Sequence, residues 1–167
     1  MTLVVRAETP TDFAAIRTVH LAGFPTPDEA ALVDALRADG DLILSLVAAK
    51  DGEIAGHVAF SRMIVKNGAE NFPAIALAPV SVTPDRQGEG VGSALIENGL
   101  RQLAEDGETL VFVVGAPAYY GRFGFDAELA SAFTSLYQGP YFQVKRLADH
   151  APSSGSVHYA SAFSKLS

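Results

Sequence analysis

The pattern of apolar and polar positions along the chain predicts strands that alternate with helices. Two segments carry the residue types that start a helix, a threonine followed by a proline and then an acid: Thr9–Asp12 and Thr26–Glu29. After the second start, Leu32 and Leu36 lie on one helical face, and Gly40 ends the pattern. The first forty residues are therefore expected to form two helices.

Most of the remaining pattern predicts strands. Asp51-Gly52 is a two-residue hairpin signal between two apolar runs. Pro79 lies within a predicted strand, and because proline has no N–H to donate, it predicts a bulge or a loss of pairing there. The predicted strands are Leu3–Arg6, Leu42–Ala49, Ile54–Val65, Phe72–Val82, Thr109–Val114, Tyr141–Val144 and Val157–Ala160, with further helices after Gly92 and at Ala118–Arg122. This order predicts a mixed α/β (α+β) fold, a single domain over residues 1–167 with helices on a central sheet.

Composition narrows the class of protein. Hydrophobic residues make up 49% of the 167 positions and charged residues 19%, which excludes a disordered chain. The net charge of −7 argues against nucleic acid and anionic membrane surfaces as partners. The absence of cysteine excludes thiolate catalysis and disulfides, and the histidines lack metal-ligand spacing. No apolar run reaches the ~18 residues of a membrane span, and no signal core opens the chain, so we expect a cytoplasmic location. From the spacing of the histidines we expect no metal site.

The segment Gln87–Ser93 is the most informative motif of the sequence. Its glycines, at alternate positions before a helix, allow close approach to a ligand, and the first N–H groups of that helix favour an anion. A nucleoside triphosphate loop is excluded because the lysine is missing, and the dinucleotide fingerprint fails because Ser93 stands where its last glycine would be. A simple glycine-rich turn remains an alternative. Asp85, Arg86 and Glu89 sum to −1, so we expect anion binding through the backbone, without basic side chains.

With its flanks included, Val80–Leu95 closely resembles the acetyl-CoA-binding segment of the GNAT acetyltransferases, whose core is Gln/Arg-x-x-Gly-x-Gly/Ala. Gly115–Phe125 is similar to the family's Tyr-x-x-x-Gly-Phe block and, with Pro-Ala-Tyr-Tyr, to the YhbS-like branch of N-acetyltransferases. The predicted element order is also that of the family. The resemblance implies a central mixed, mostly antiparallel and splayed sheet flanked by helices.

The resemblance also implies roles for particular residues. Backbone groups of Val80 and Val82 would pair with the pantetheine arm of acetyl-CoA, and Pro79 would mark the point where the strand leaves its neighbour. Tyr120 aligns with the tyrosine near the thioester sulfur and would act as general acid to the CoA thiolate. The full set expected to hold acetyl-CoA is Val80, Ser81, Val82, Gln87, Gly88, Glu89, Gly90, Val91, Gly92 and Ser93.

The base for the acceptor amine is not evident from the sequence. A lysine-like amine titrates near ~10.4, so attack on a thioester requires a group that takes its proton. The strand Phe72–Val82 contains no acid, and Glu70 is expected in a solvated turn. His57 is a weak candidate, and the favoured interpretation is a strand histidine satisfied by hydrogen bonds. Two further alternatives stay open: Ser81 contacts substrate or lies on the opposite face of the strand, and Arg122 binds phosphate or forms a surface ion pair.

The function implied is transfer of an acetyl group from acetyl-CoA to an amine of a small-molecule or protein acceptor, by direct attack in a ternary complex. The missing strand carboxylate keeps a second interpretation open, a non-catalytic acyl-CoA-binding or sensor domain. A homodimer is plausible from the family, and nothing in the sequence indicates its interface.

Overall fold

A mixed sheet of eight strands forms the centre of residues 2–165, the part of the chain that the computed structural model describes. Most neighbouring strands are antiparallel, and the parallel pairs are β4 with β5 and β6 with β8. The strands are β1 Leu3–Ala7, β2 Leu42–Lys50, β3 Glu53–Asn67, β4 Glu70–Val82, β5 Leu110–Val114, β6 Phe133–Thr134, β7 Phe142–Arg146 and β8 Gly155–His158. The helices are α1 Phe13–Gly23, α2 Asp28–Ala38, α3 Val91–Glu105, α4 Pro117–Tyr120 and α5 Ala127–Ala130, with short 3-10 turns at Pro10–Asp12, Pro84–Arg86, Gly121–Phe123 and Ser161–Lys165.

The predicted fold class is confirmed, and the main differences concern short elements. Glu70 begins β4, so the expectation that it lies in a turn is wrong; the turn is shorter than predicted. The predicted helix Ala118–Arg122 divides into α4 and a 3-10 turn. The sequence analysis missed α5 and β6, because four and two residues are too few to show a hydrophobic period. The single domain predicted for 1–167 includes Met1, Leu166 and Ser167, which lie outside the described residues.

The sheet opens between β4 and β5. These strands pair in parallel at Ile75 with Val111 and at Ala76 with Phe112, and no pairing between them is recorded beyond this point. On its other edge, β4 stays paired with β3 as far as Val82, with a register shift between Val58 and Phe60. Since Ala78 and Pro79 lie opposite the single residue Ala59, the bulge predicted at Pro79 is confirmed. We call the opening between β4 and β5 the fork.

Helix α3 lies unusually close to the sheet, which fixes the position of its N-terminus. A Cβ atom at Gly99 would lie 2.3 Å from Cε2 of Phe60 on β3, so the helix can approach this closely only with glycine at that position. Leu95, Ile96 and Leu103 add fully buried apolar side chains on the same helical face. The glycine loop that precedes α3 is thereby held beside the end of β4.

Candidate active site

A cavity of about 390 Å³ occupies the fork. One side is formed by β4 from Ala76 to Val80 and the other by Phe112–Val114 of β5. Tyr120 at the end of α4 also lines it, as does Glu29 in the first turn of α2. This volume falls within the range of about 300–1,000 Å³ that small-molecule sites typically have. We call it the fork cavity.

Tyr120 is held in place by close packing. Its side chain is buried, its ring is nearly perpendicular to those of Tyr119 and Phe125, and a Cβ at Gly115 would lie only 2.4 Å from its Cε2 atom. Burial, with a smaller contribution from Tyr119, raises the pKa of the Tyr120 phenol to about 12. The hydroxyl therefore stays protonated at neutral pH and can donate a hydrogen bond.

A second cavity, of about 360 Å³, lies against the glycine loop and the N-terminus of α3. Gly88 and Gly90 have φ angles of +80° and +82°, a conformation that favours glycine, and Gly90 is the N-cap of α3. At Gly92 a Cβ would lie 3.0 Å from the hydroxyl oxygen of Tyr119. We call this space the loop cavity; its lining comprises Val82, Arg86, Gln87, Gly88, Gly90, Val91, Gly92, Ser93, Tyr119 and Arg122.

The two cavities follow one another along β4. Val80 and Tyr120 line the fork cavity, and Val82 and Tyr119 line the loop cavity. The N–H of Thr83 donates to the carbonyl of Ala55 on β3 at 2.8 Å. Because backbone groups of successive strand residues point to opposite edges, those of Val80 and Val82 point away from β3, toward the open side of the sheet. The backbone groups singled out by the sequence therefore face the open side of the sheet, and the Val82 carbonyl there accepts the hydrogen bond from Gln87 Nε2.

Four of the predicted binding side chains are engaged elsewhere. The Ser81 hydroxyl donates to the carbonyl of Val19 on α1 at 3.3 Å, so of the two alternatives for Ser81 the structure favours the opposite face of the strand. Gln87 Nε2 donates to the carbonyl of Val82 at 3.2 Å. Glu89 forms an ion pair with Lys50, which lowers the pKa of its carboxyl, and is not among the residues that line the loop cavity. The Val91 side chain is buried in the core.

The expectation that the loop site has no basic side chains is wrong. Arg86 and Arg122 both line the loop cavity. The Nη2 atom of Arg122 donates to Ser93 Oγ at 2.8 Å, and its guanidinium lies 5.1 Å from the ring centroid of Tyr119. The charge count included Arg86 but offset it with Asp85 and Glu89, which do not line the cavity, and it left out Arg122, which is brought in by the packing of α4 and the turn that follows it. The cavity therefore combines a helix N-terminus with two cations, which suits a polyphosphate.

His57 is completely buried and hydrogen-bonded, as one of its two sequence interpretations expected. Its Nε2 lies 2.7 Å from Ser45 Oγ and its Nδ1 2.7 Å from Nε2 of His20. Burial first, then the charges of His20 and Arg37, lower the pKa of His57 to about 3, and burial lowers the pKa of His20 to about 4. His57 lines neither cavity, so it does not reach an acceptor bound in the fork.

The proton positions in this network follow from the hydrogen bond between Ser45 and Glu8. The Ser45 hydroxyl donates to Glu8, whose carboxylate also accepts two hydrogen bonds from Arg37. Ser45 Oγ must then accept from His57 Nε2–H, and His57 Nδ1 accepts from His20 Nε2–H. The other ring nitrogen of His20, Nδ1, has no hydrogen-bond partner among the described residues. Since burial lowers the pKa of both histidines, this arrangement, in which each ring carries one proton, is the one expected at neutral pH.

The sequence analysis missed the wall of the fork cavity that is formed by Glu29 and four aromatic side chains. Glu29 was interpreted only as a helix-start acid, although it lies three and seven positions before Leu32 and Leu36 and therefore on their apolar face. An acid on an apolar helical face was the sequence signal that could have marked Glu29 as a candidate site residue. Four aromatic side chains complete the wall, and no local pattern connects them: Phe24, Tyr137, Tyr159 and Phe163.

Residues 2–165 contain neither a membrane-spanning helix nor a cluster of metal-binding side chains. No helix in this part of the chain is both long and apolar enough to cross a membrane. Within the same residues there is no group of three or more His, Asp or Glu side chains placed to hold a metal ion.

Comparison with known proteins identifies the family. Residues 4–127 match the model of an acetyltransferase (GNAT) domain. The chain belongs to the GNAT acetyltransferases. It is 36% identical, over 98% of its own length and 100% of the relative's, to the uncharacterised N-acetyltransferase YhbS of Escherichia coli K12. The resemblance to the GNAT family and its YhbS-like branch, predicted from two short motifs, is thereby confirmed, as is the enzyme class of N-acetyltransferase.

Solved structures agree with this GNAT assignment. The E. coli YhbS structure in complex with CoA has a TM-score of 0.90 and 35% identity, covering 99% of this chain and 93% of that one. A GNAT acetyltransferase of Brucella melitensis in complex with acetyl-CoA has a TM-score of 0.82 and 39% identity, covering 97% of this chain and 98% of that one. The ligands of these two relatives match the donor predicted from the sequence.

Proposed function

We propose that this chain transfers an acetyl group from acetyl-CoA directly to an amine bound in the fork cavity. The observation that carries the proposal is the succession of two cavities along the free edge of β4. The loop cavity offers a helix N-terminus, Arg86 and Arg122, and the fork cavity offers Tyr120 in a mostly apolar surround. Acetyl-CoA has the matching order, a diphosphate at one end and a thioester at the other.

The backbone of the glycine loop and the two arginines would hold the diphosphate. N–H groups at the start of α3 have no acceptor within the helix and are available to phosphate oxygens. Gly88, Gly90, Gly92 and Ser93 line the loop cavity and would contact the diphosphate, and Gln87 would contribute by tying the loop to β4. Val80 and Val82 would pair with the pantetheine arm, since their backbone groups point away from β3 toward the open side of the sheet.

Tyr120 would act as the general acid. In direct attack, a C–N bond forms, the C–S bond breaks, and the Tyr120 hydroxyl gives its proton to the departing sulfur. The protonated nitrogen then loses a proton as the amide forms, which restores the phenol. N–H groups of the strand near Val82 would stabilise the negative charge that develops on the carbonyl oxygen. This mechanism needs no nucleophilic side chain, consistent with a chain that has no cysteine.

Binding of acetyl-CoA, measured by calorimetry, tests the site with a matched pair of variants. Gly90 and Gly107 have φ angles of +82° and +88°, and neither has an atom within 4 Å of an added Cβ. Alanine at either position therefore costs about 1 kcal/mol of backbone strain, but only Gly90 lines the loop cavity. We expect Gly90→Ala to weaken acetyl-CoA binding and Gly107→Ala to leave it unchanged; equal binding by both would contradict the assignment.

Turnover tests the reaction itself. Thiol release from acetyl-CoA should require an added amine in a panel of primary amines. Binding of acetyl-CoA without turnover across the whole panel would favour the alternative of a non-catalytic acyl-CoA-binding domain.

A further inference from the structure

Glu29 is a carboxylate without a partner in the wall of the fork cavity. Its Oε1 atom is shielded from solvent and accepts no hydrogen bond from any of residues 2–165. The two arginines of the neighbouring helices are engaged by other acids: Arg17 by Asp34, and Arg37 by Glu8 and Asp34. The charge of Glu29 is therefore left for something outside the described residues to neutralise.

This arrangement is costly for the free protein. A carboxylate oxygen that is shielded from water without gaining a donor loses its hydration with no compensation. The same helical position filled by leucine would extend the apolar face of Leu32 and Leu36. A charged group kept at such a position points to a ligand that supplies the missing positive charge.

The other walls suit an organic cation with an apolar body. Tyr137 and Tyr159 meet edge to face with ring centroids 5.1 Å apart, and Tyr159 lies 5.1 Å from Phe163. Phe24, which follows α1, also lines the cavity. Aromatic faces attract ammonium groups and pack against apolar chains and rings. Glu29 is the charged residue of this lining.

We propose that Glu29 binds the ammonium group of a small arylalkyl or alkyl amine and accepts its proton, so that the acceptor of this enzyme is an amine with an apolar body. The proton passes from the nitrogen to a carboxylate oxygen of Glu29, which leaves a neutral amine with a free lone pair and a neutral carboxylic acid. This inference rests on the proposed function. It assigns the base that the sequence analysis did not find, on α2 instead of on the strand before the glycine loop.

The first test is a binding experiment that needs no donor. Calorimetry with phenethylamine and with its uncharged counterpart 2-phenylethanol separates the charge from the apolar body. We expect wild type to prefer the amine by tenfold or more, the value of a charge-assisted contact. Glu29→Gln should abolish the preference, whereas Glu97→Gln, on the exposed face of α3, should keep it. Equal affinity of wild type for both probes, or an unchanged preference in Glu29→Gln, would overturn the proposal.

The second test is kinetic and distinguishes this inference from the proposed function. With phenethylamine as acceptor, Glu29→Gln should lower kcat/KM by 100-fold or more, while its affinity for acetyl-CoA stays that of wild type. Wild-type turnover by Glu29→Gln would overturn the role of Glu29 alone. Failure of wild type to bind acetyl-CoA would overturn the proposed function, while the preference for the amine in the binding experiment would still support the acceptor site.

Discussion

The Arg122 guanidinium donates a hydrogen bond to the Ser93 hydroxyl at 2.8 Å, which joins the turn after α4 to the first turn of α3. The contact links the two sequence blocks on which the family resemblance was based. It also places a cation beside the N–H groups that open α3. An anion bound in the loop cavity would therefore meet a full positive charge as well as a helix terminus.

Replacing Arg122 should weaken the donor site. We expect Arg122→Ala to reduce acetyl-CoA affinity by about tenfold, since a charge-assisted hydrogen bond is worth about 1.5–3 kcal/mol. The reduction should become smaller as salt is added, because salt screens the lost attraction.

Arg101 provides the matched control. It lies on α3 and donates to Asn98 on the same helix, and it does not line the loop cavity. Arg101→Ala should retain wild-type affinity in calorimetry. If both variants bound equally well, the loop cavity would not be the phosphate site.

Removing the Tyr120 hydroxyl should affect chemistry more than binding. We expect Tyr120→Phe to lower kcat by about 100-fold, the lower end of what general acid catalysis contributes. Its affinity for acetyl-CoA should change little, because the packing of the ring against Tyr119 and Phe125 remains. Tyr141→Phe, at an exposed position, controls for loss of a phenol as such. An unaltered kcat would remove Tyr120 from the role of acid.

Gly115 positions the Tyr120 ring and does not itself contact the reacting groups. A Cβ at this position would overlap the Tyr120 ring, 2.4 Å from Cε2, so Gly115→Ala must displace the ring or the strand end. We expect a loss of about 1–3 kcal/mol in the free energy of unfolding, together with a lower kcat. Urea denaturation and thiol release measure the two effects.

Gly121 offers the matched substitution on the same segment. Its φ of −57° suits any residue, and an added Cβ would meet no atom within 4 Å. Gly121→Ala should keep wild-type kcat and equal or slightly exceed wild-type stability. A kcat that is normal in both glycine variants would show that the ring position is unimportant.

The buried histidine pair makes folding sensitive to mild acid. Both pKa values are lower in the folded chain, about 3 for His57 and about 4 for His20, than the ordinary value of 6.5. The unfolded chain therefore takes up more protons as the pH falls below about 6.5, and stability decreases. Between pH 7 and pH 5 we expect a loss of up to about 4 kcal/mol in the free energy of unfolding.

Urea denaturation at the two pH values measures this loss, and His57→Gln should reduce it. His150→Gln, at an exposed position, should retain it. Asp12, whose pKa is lowered to about 2, chiefly by its hydrogen bonds with Arg6, adds its own loss only below about pH 4. Equal stability of wild type at pH 7 and pH 5 would contradict neutral buried histidines.

Local signals explain what the sequence predicted well. The Asp51-Gly52 hairpin, the bulge at Pro79 and the loop through Gly88 and Gly90 each depend on backbone geometry that one or two residue types favour. Such signals are contained in a few consecutive residues. They predicted the irregularity in β4 and the anion site at the glycine loop, whereas the opening of the sheet was implied by the family resemblance.

Long-range packing explains what the sequence did not show. Arg122 reaches Ser93 across 29 residues, and Tyr137 and Tyr159 meet Glu29 at one cavity from distant parts of the chain. The hydrogen bond from Ser81 to the Val19 carbonyl likewise depends on how α1 crosses the sheet. Nothing in the neighbouring residues specifies these contacts, so this wall of the fork cavity became visible only in the fold.

Initial velocities of thiol release, measured over a matrix of acetyl-CoA and phenethylamine concentrations, test the central claim most directly. Direct transfer between two substrates bound together predicts reciprocal plots that intersect, with thiol release that requires the amine. Parallel lines, or thiol release without the amine, would contradict direct attack within the fork cavity.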